Sequence, residues 1–249
     1  DSGETRYLML ETIRGYARER LDASGDREAV HRQHAAWALA LAETAQQELY
    51  GPDQAAWAAR LAAEQDNLRV ALTWAIANDP VLAVRLASAL WFFWYTEGEL
   101  VEGRRWLERA LAAGSAVPPT IRALAINNLG NLVYEMGDLP RAQELYEESL
   151  ALRTQLGDRC GMADSLNNLG MLATARGDLA TGRERLKACI ALRTDMGQPE
   201  STAPTHNNLG DIAILEGNGA VARECNERAL ALGREQGNTR RVAHSLHNI

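Results

Sequence analysis

Between residues 139 and 152, apolar and small side chains recur three or four positions apart (Ala142, Leu145, Tyr146, Ser149, Leu150, Leu152), which predicts an α-helix with one buried stripe. Helical-period segments also run over 121–136, 162–176 and 205–216. Each is followed by Gly-Asp-Leu, Gly-Asp-Leu or Gly-Asn-Gly, at 137, 177 and 217. The glycine suits the left-handed cap that ends one helix, and the Asp or Asn after it can cap the next. A second helix then continues through Leu156, Met196 and Gln236 to Gly157, Gly197 and Gly237. The predicted unit is two antiparallel helices of roughly 15 to 18 residues, each about 25 Å long.

The units are copies. Asn-Asn-Leu-Gly occurs at 127–130, 167–170 and 207–210, and His247-Asn248-Ile249 begins a fourth copy in the same 40-residue register. A fixed period of this size marks a solenoid, whose stacked units make an extended surface and not a deep cleft. Small residues stand where paired helices must touch: Gly130, Gly170 and Gly210 in the first helix, and Ala142, Gly182 and Ala222 in the second.

These positions resemble the tetratricopeptide repeat, with Leu-Gly in the first helix, then a small, a large and a small residue in the second. They read Leu129-Gly130, Ala142, Tyr146, Ser149; then Leu169-Gly170, Gly182, Leu186, Cys189; then Leu209-Gly210, Ala222, Asn226, Ala229. Asn226 departs from the apolar expectation, which predicts looser packing in the third unit. The usual repeat is about 34 residues; the longer copies here are similar to the long-helix variety of kinesin light chains and bacterial regulators. The resemblance implies an all-α, right-handed superhelical array of antiparallel helix pairs. A degenerate copy is expected upstream, where Gly98-Glu99-Leu100 precedes Gly103, Leu107 and Ala110, with Trp91 in place of the first-helix glycine.

All six tryptophans lie before residue 107, and Gly114-Ser115-Ala116-Val117-Pro118-Pro119 breaks the helical pattern, so a junction is expected there. Ahead of it the periodicity predicts helices at about 27–48, 53–78, 80–97 and 99–113, a short strand over 6–10, and an amphipathic helix over 11–21 ending near Gly25. The run from Arg6-Tyr7-Leu8-Met9-Leu10-Glu11-Thr12-Ile13-Arg14 to Leu21, together with His31-Arg32-Gln33-His34, Glu64-Gln65-Asp66-Asn67-Leu68-Arg69 and Glu102-Gly103-Arg104-Arg105-Trp106-Leu107, resembles bacterial signal-transduction ATPases of the NB-ARC-like STAND type. That resemblance implies the end of a winged-helix subdomain (1–25), a helical linker (26–83), the degenerate repeat (84–117), three repeats (120–159, 160–199, 200–239) and the truncated start of a fourth (240–249). It implies a cytoplasmic transcriptional regulator whose nucleotide-binding and DNA-binding domains lie elsewhere. With its start at Asp1 and its stop at Ile249, just inside a copy, the chain is expected to be a piece of a longer protein.

Composition narrows the function. At 46% apolar and 24% charged, the chain is expected to fold, and its longest apolar run, 81–95, is broken by Arg85 and Ser88, so no membrane span is expected. A net charge of −7 with no clustered basic face argues against direct contact with nucleic acid. The three cysteines are scattered, without metal-ligand or disulfide-framework spacing. The sole lysine, Lys187, has no phosphate-binding glycine loop around it, and no nucleophile-elbow or zinc-protease motif occurs, so the segment is expected to be non-catalytic and without cofactor. Glu28, His31 and His34 share a helix face, but one helix offers too few ligands for a metal, and a solvated face is the simpler reading.

Candidate binding residues come from the first helices, which line the concave face in this repeat class. Asn127, Asn167 and Asn207 occupy equivalent positions one turn before Asn131, Met171 and Asp211. A side-chain amide can donate to and accept from an extended peptide backbone, so a ladder of them suits a peptide ligand. The second asparagines, 128, 168 and 208, are expected to bond between helices or repeats. In the run 91–95, register places Trp91 and Trp94 inward and Phe92 and Tyr95 toward the concave surface. The reading is a sensor or scaffold arm that binds a protein, a peptide or a small inducer, with oligomerisation of the parent as a further expectation; the alternative is a free-standing adaptor with no nucleotide switch.

Overall fold

A computed structural model of the chain describes residues 9–114 and 117–235, with Val242, Ser245 and Leu246. Every regular element among them is helical: α1 (Glu11–Ser24), α2 (Arg27–Glu48), α3 (Gln54–Ala63), α4 (Gln65–Asn78), α5 (Pro80–Thr96), α6 (Leu100–Ala113), α7 (Pro119–Glu135), α8 (Leu139–Leu156), α9 (Arg159–Ala175), α10 (Leu179–Asp195), a 3-10 turn (Pro199–Thr202), α11 (Ala203–Leu215) and α12 (Gly219–Glu235). The strand expected over 6–10 falls largely outside the described residues, as do Gly237 and most of the fourth copy; Met9 and Leu10 are irregular.

The turns inside the pairs follow from local chemistry. Gly137 and Gly177 sit at φ +83° and Gly217 at +71°, a conformation that costs glycine little. The next N–H of each reaches back across the turn, from Asp138 to the Val133 carbonyl (3.2 Å), Asp178 to Ala173 (2.9 Å) and Asn218 to Ala213 (2.8 Å). The same residues accept at the new helix, from the N–H of Arg141 (3.2 Å), Thr181 (3.0 Å) and Val221 (3.2 Å). One Gly-Asx dipeptide therefore ends a helix and begins its partner.

Packing is strongest within the pairs α7/α8, α9/α10 and α11/α12, and the first helices α5, α7, α9 and α11 also touch in sequence, forming one layer. The glycines set how close a pair comes. A Cβ on Gly130 would lie 2.7 Å from Tyr146 Cε1, and on Gly170 2.7 Å from Leu186 Cγ. Gly210 faces the side chain of Asn226, which is fully buried. A polar residue thus fills the place that Tyr146 and Leu186 fill in the earlier units. At the other end α2, α4, α5 and α6 pack together, and one continuous apolar core runs from Ala35 through Phe93 and Leu107 to Leu172.

The helix expected over 53–78 is broken at Glu64. Its N–H is shared between the carbonyls of Arg60 (3.2 Å) and Leu61 (3.1 Å), a one-residue tightening that separates α3 from α4. Each part packs against α2, with Leu61 and Leu68 buried.

Gly170→Ala tests the close approach. Helix propensity alone favours alanine by about 1 kcal/mol, yet the added Cβ meets Leu186 Cγ at 2.7 Å and the Gly182 carbonyl at 3.2 Å. A net loss of roughly 1–3 kcal/mol is expected in urea denaturation, as it is for Ala142→Leu at a fully buried position. Wild-type stability in both variants would show that the paired helices are free to separate.

Candidate functional site

The layer of first helices bounds a continuous groove. One part, of about 470 Å³, is lined by side chains that include Asn127, Asn131, Asn167, Leu124, Arg153 and Arg193. The adjoining part, of about 360 Å³, shares Tyr50, Trp91, Asn131, Asn167 and Asn168 with it and adds Met171, Asn207 and the aromatics Phe92, Tyr95, Tyr134 and Tyr146. Of the residues singled out from sequence, Asn127, Asn131, Asn167, Met171, Asn207, Phe92 and Tyr95 meet in this groove. Asp211 is half-buried and does not line it.

The asparagines work differently from a two-way amide ladder. Asn168 Nδ2 donates to Asn127 Oδ1 (3.2 Å) and Asn131 Oδ1 (3.0 Å), and the Tyr146 hydroxyl donates to the same Asn131 oxygen (3.0 Å). One unit on, Asn167 Oδ1 accepts from Asn208 Nδ2 (3.1 Å) and Thr205 Oγ1 (3.0 Å), and Asn207 Oδ1 accepts from Ser245 Oγ (3.0 Å). Asn128 donates to the Ser88 carbonyl (3.2 Å). The second asparagines thus bond between units as expected, but the first set spends its oxygens on those same bonds. What remains is the amide N–H: Asn167 Nδ2 has only Met171 Sδ at 3.6 Å. Along the asparagine row the groove therefore offers donors, and a ligand lying there must bring acceptors.

Trp91 corrects the register argument. Trp94 is buried over Gly103, whereas Trp91 is half-buried and lines the groove. Residues four apart share a helix face, so Trp91 travels with Tyr95; their rings lie 6.2 Å apart, and Phe92 stands 5.4 Å from Trp91 and 5.6 Å from Tyr95. Tyr50, just beyond α2, stacks on Phe92 at 4.2 Å. Nothing local in the sequence marked Tyr50. Burial pushes the Tyr146 and Tyr134 hydroxyls above their ordinary pKa, with Glu135 adding to both, so they stay protonated at neutral pH.

Sequence reasoning also missed two arginines, although they recur in the 40-residue register. Arg153 Nη1 donates to the Gly161 carbonyl (2.5 Å) and Ser165 Oγ (3.1 Å), tying the end of α8 to the start of α9. Burial lowers its pKa, with Asp164 and Asp158 opposing that shift, but a guanidinium stays charged. Arg193 bonds Gln198 Oε1 (3.1 Å) and pairs with Asp164. Among the described residues no group of three His, Cys, Asp or Glu is placed to hold a metal ion, and no helix is long and apolar enough to cross a membrane.

Comparison with known proteins agrees with this architecture. Residues 121–195 match the tetratricopeptide repeat family, so the chain carries a tetratricopeptide repeat region. Over 176 residues, 66% of the chain, it is 32% identical to proteins of Mycobacterium tuberculosis and Mycobacterium bovis named "Putative HTH-type transcriptional regulator", and it spans 19% of their length. Among solved structures, aspartyl phosphate phosphatase F from Bacillus subtilis superposes with a TM-score of 0.67 at 11% identity, covering 91% of this chain and 58% of that one. The array of "nearly identical TPR-like repeats" from a Podosopora anserina kinesin light chain gives 0.59 at 16%, covering 82% and 98%. These likenesses show the fold: an all-α tetratricopeptide solenoid.

Asn168→Ala removes the donor that satisfies two oxygens in the neighbouring unit. Stability in urea is expected to fall by about 1–3 kcal/mol, the cost of stranding partly buried acceptors. An unchanged midpoint would show that the bonds between units contribute nothing.

Proposed function

We propose that this chain is the non-catalytic sensing and scaffolding arm of a bacterial transcriptional regulator of the signal-transduction ATPase type, and that its groove holds an extended peptide or peptide-like segment of a partner. The observation that carries the reading is the row of unspent amide N–H groups along the groove, from Asn127, Asn131, Asn167 and Asn207, set beside an aromatic wall. A peptide in extended form presents backbone carbonyls along its length, which is what a row of amide donors selects, and its side chains supply apolar surface for Trp91, Phe92 and Tyr95. The 32% identity to the mycobacterial proteins supports the regulatory context. We read α5 and α6 as a further, degenerate unit of the array and the helices before them as the linker to the rest of the parent. A coding sequence with no phosphate-binding loop in the same reading frame would overturn the ATPase part and favour a free-standing adaptor.

The groove is tested by selecting peptides from a random decapeptide display library on the chain and on the double variant Asn127→Asp, Asn167→Asp. Aspartate keeps the oxygens that accept from Asn168, Asn208 and Thr205 and removes the N–H donors. Peptides selected on the wild type are expected to bind the variant about tenfold or more weakly, the equivalent of losing roughly one to two hydrogen bonds. Equal affinities, with melting curves that show both proteins folded, would remove the groove assignment.

A further inference from the structure

The two parts of the groove differ in what lines them. Charges of both signs, from Arg153, Asp164 and Arg193, line the part that contains Leu124. The other part is walled by six rings, those of Tyr50, Trp91, Phe92, Tyr95, Tyr134 and Tyr146. Tyr95 and Tyr134 hold equivalent places, three residues before Gly98 and Gly137, so neighbouring first helices bring a tyrosine to the same point of the unit. Among the described residues lining this part there is no leucine, isoleucine or valine, and Glu135 is the one that carries a charge.

That composition is ill suited to an aliphatic side chain, for which a carboxylate at the wall is a cost. It suits a cation, because the ring faces are the negative side of the aromatic quadrupole and Glu135 adds to their field. Burial is the main cause that raises the Tyr146 and Tyr134 hydroxyls, and the negative charge of Glu135 adds to both, so that charge is felt across the wall. A carboxylate that accepts from a hydroxyl keeps its charge, so attraction of a cation does not require a vacant oxygen. Phe92 is 5% exposed and stacks on Tyr50 at 4.2 Å, which makes it the backing of the wall, whereas Trp91 and Tyr95 are half-buried. The Trp91 and Tyr95 rings are tilted by 33° with centroids 6.2 Å apart. A cation about 4 Å above their midpoint stands about 5 Å from both, within the roughly 6 Å reach of a cation–π contact.

We propose that this part of the groove is a subsite for an organic cation, a guanidinium or ammonium group of the bound peptide held by the Trp91 and Tyr95 rings and by the charge of Glu135. The inference rests on the peptide-binding reading above and adds the chemistry of one end of the ligand: acceptors along its backbone at the asparagines, and a positive group at the aromatic wall. The cation comes either from an arginine or lysine side chain, whose aliphatic stem also covers ring surface, or from a free N-terminus; both present a positive group to the rings.

The test compares choline with its neutral isostere 3,3-dimethylbutanol, which has the same shape without the charge. With the chain labelled at tryptophan nitrogen, the Trp91 Nε1–H resonance, identified by its loss in Trp91→Leu, is followed as each probe is added, against sodium chloride at equal ionic strength. A saturable shift is expected with choline, at an affinity about tenfold or more above that of the isostere. Glu135→Gln removes the charge at an exposed position, and choline is expected to bind that variant about threefold or more weakly, with melting curves showing both proteins folded. In parallel, decapeptides with free and with acetylated N-termini are selected on the wild type. Enrichment of Arg and Lys in both libraries assigns the cation to a side chain, and binding confined to the free library assigns it to the N-terminus. Failure of the peptide reading alone appears as no selected peptide with the preference for choline intact, which keeps the subsite. Equal affinity for choline and its isostere, no response to either, unchanged choline affinity in Glu135→Gln, or selected peptides without a required cation would overturn the proposal.

Discussion

Each helix pair depends on a contact that leaves no room for a Cβ. Tyr146 lies on Gly130 and Leu186 on Gly170, each about 2.7 Å from where a methyl group would stand. Contact at that range fixes both the separation and the rotation of the two helices, because any turn of either would drive backbone into side chain. Rotation determines the rest. The asparagine three residues before the glycine is carried to the inner face of the layer, and since the whole unit is copied at 40 residues, Asn127, Asn167 and Asn207 arrive there in a row.

Copying the unit also decides which half of each asparagine is available. The second asparagine of one unit donates to the first asparagine of the unit before, so stacking consumes the oxygens and leaves the N–H groups over the groove. Among the described residues one departure from the pattern stands out. At the third and fourth units a hydroxyl, Thr205 or Ser245, donates to the preceding first asparagine, whereas at the second unit Ser165 accepts from Arg153 instead. Departures from a repeat are informative because the repeat itself supplies the control.

The features legible in sequence were those governed by neighbours in the chain. Gly137-Asp138 and Gly177-Asp178 announce a helix end and a helix start because both capping bonds close within a few residues. The glycines under Tyr146 and Leu186 were legible because period and residue size together demand a close approach. What escaped depends on partners far away in sequence. Tyr50 joins the groove only because α2 packs on α5, and the spent state of the asparagine oxygens is fixed by residues about forty positions distant. The face of Trp91 was misjudged because the run 91–95 is apolar on every side, so hydrophobicity carried no phase. Arg153 and Arg193 were in plain register, but arginine near a helix C-terminus is the ordinary partner of the helix dipole and draws no notice without its burial.

Arg153 also ties one unit of the array to the next. Its guanidinium joins the last turn of α8 to the first turn of α9, through the Gly161 carbonyl and Ser165, and Gly161 lacks a Cβ where one would meet Arg153 Cδ and Nε at 2.7 Å. The joint between two units is thus made of the same group that faces the groove. In a solenoid each unit touches little beyond its neighbours, so the angle at one joint is inherited by every unit beyond it. A sensing arm requires only that its ligand bind one joint angle better than another: each tenfold preference for one state shifts the equilibrium by about 1.4 kcal/mol.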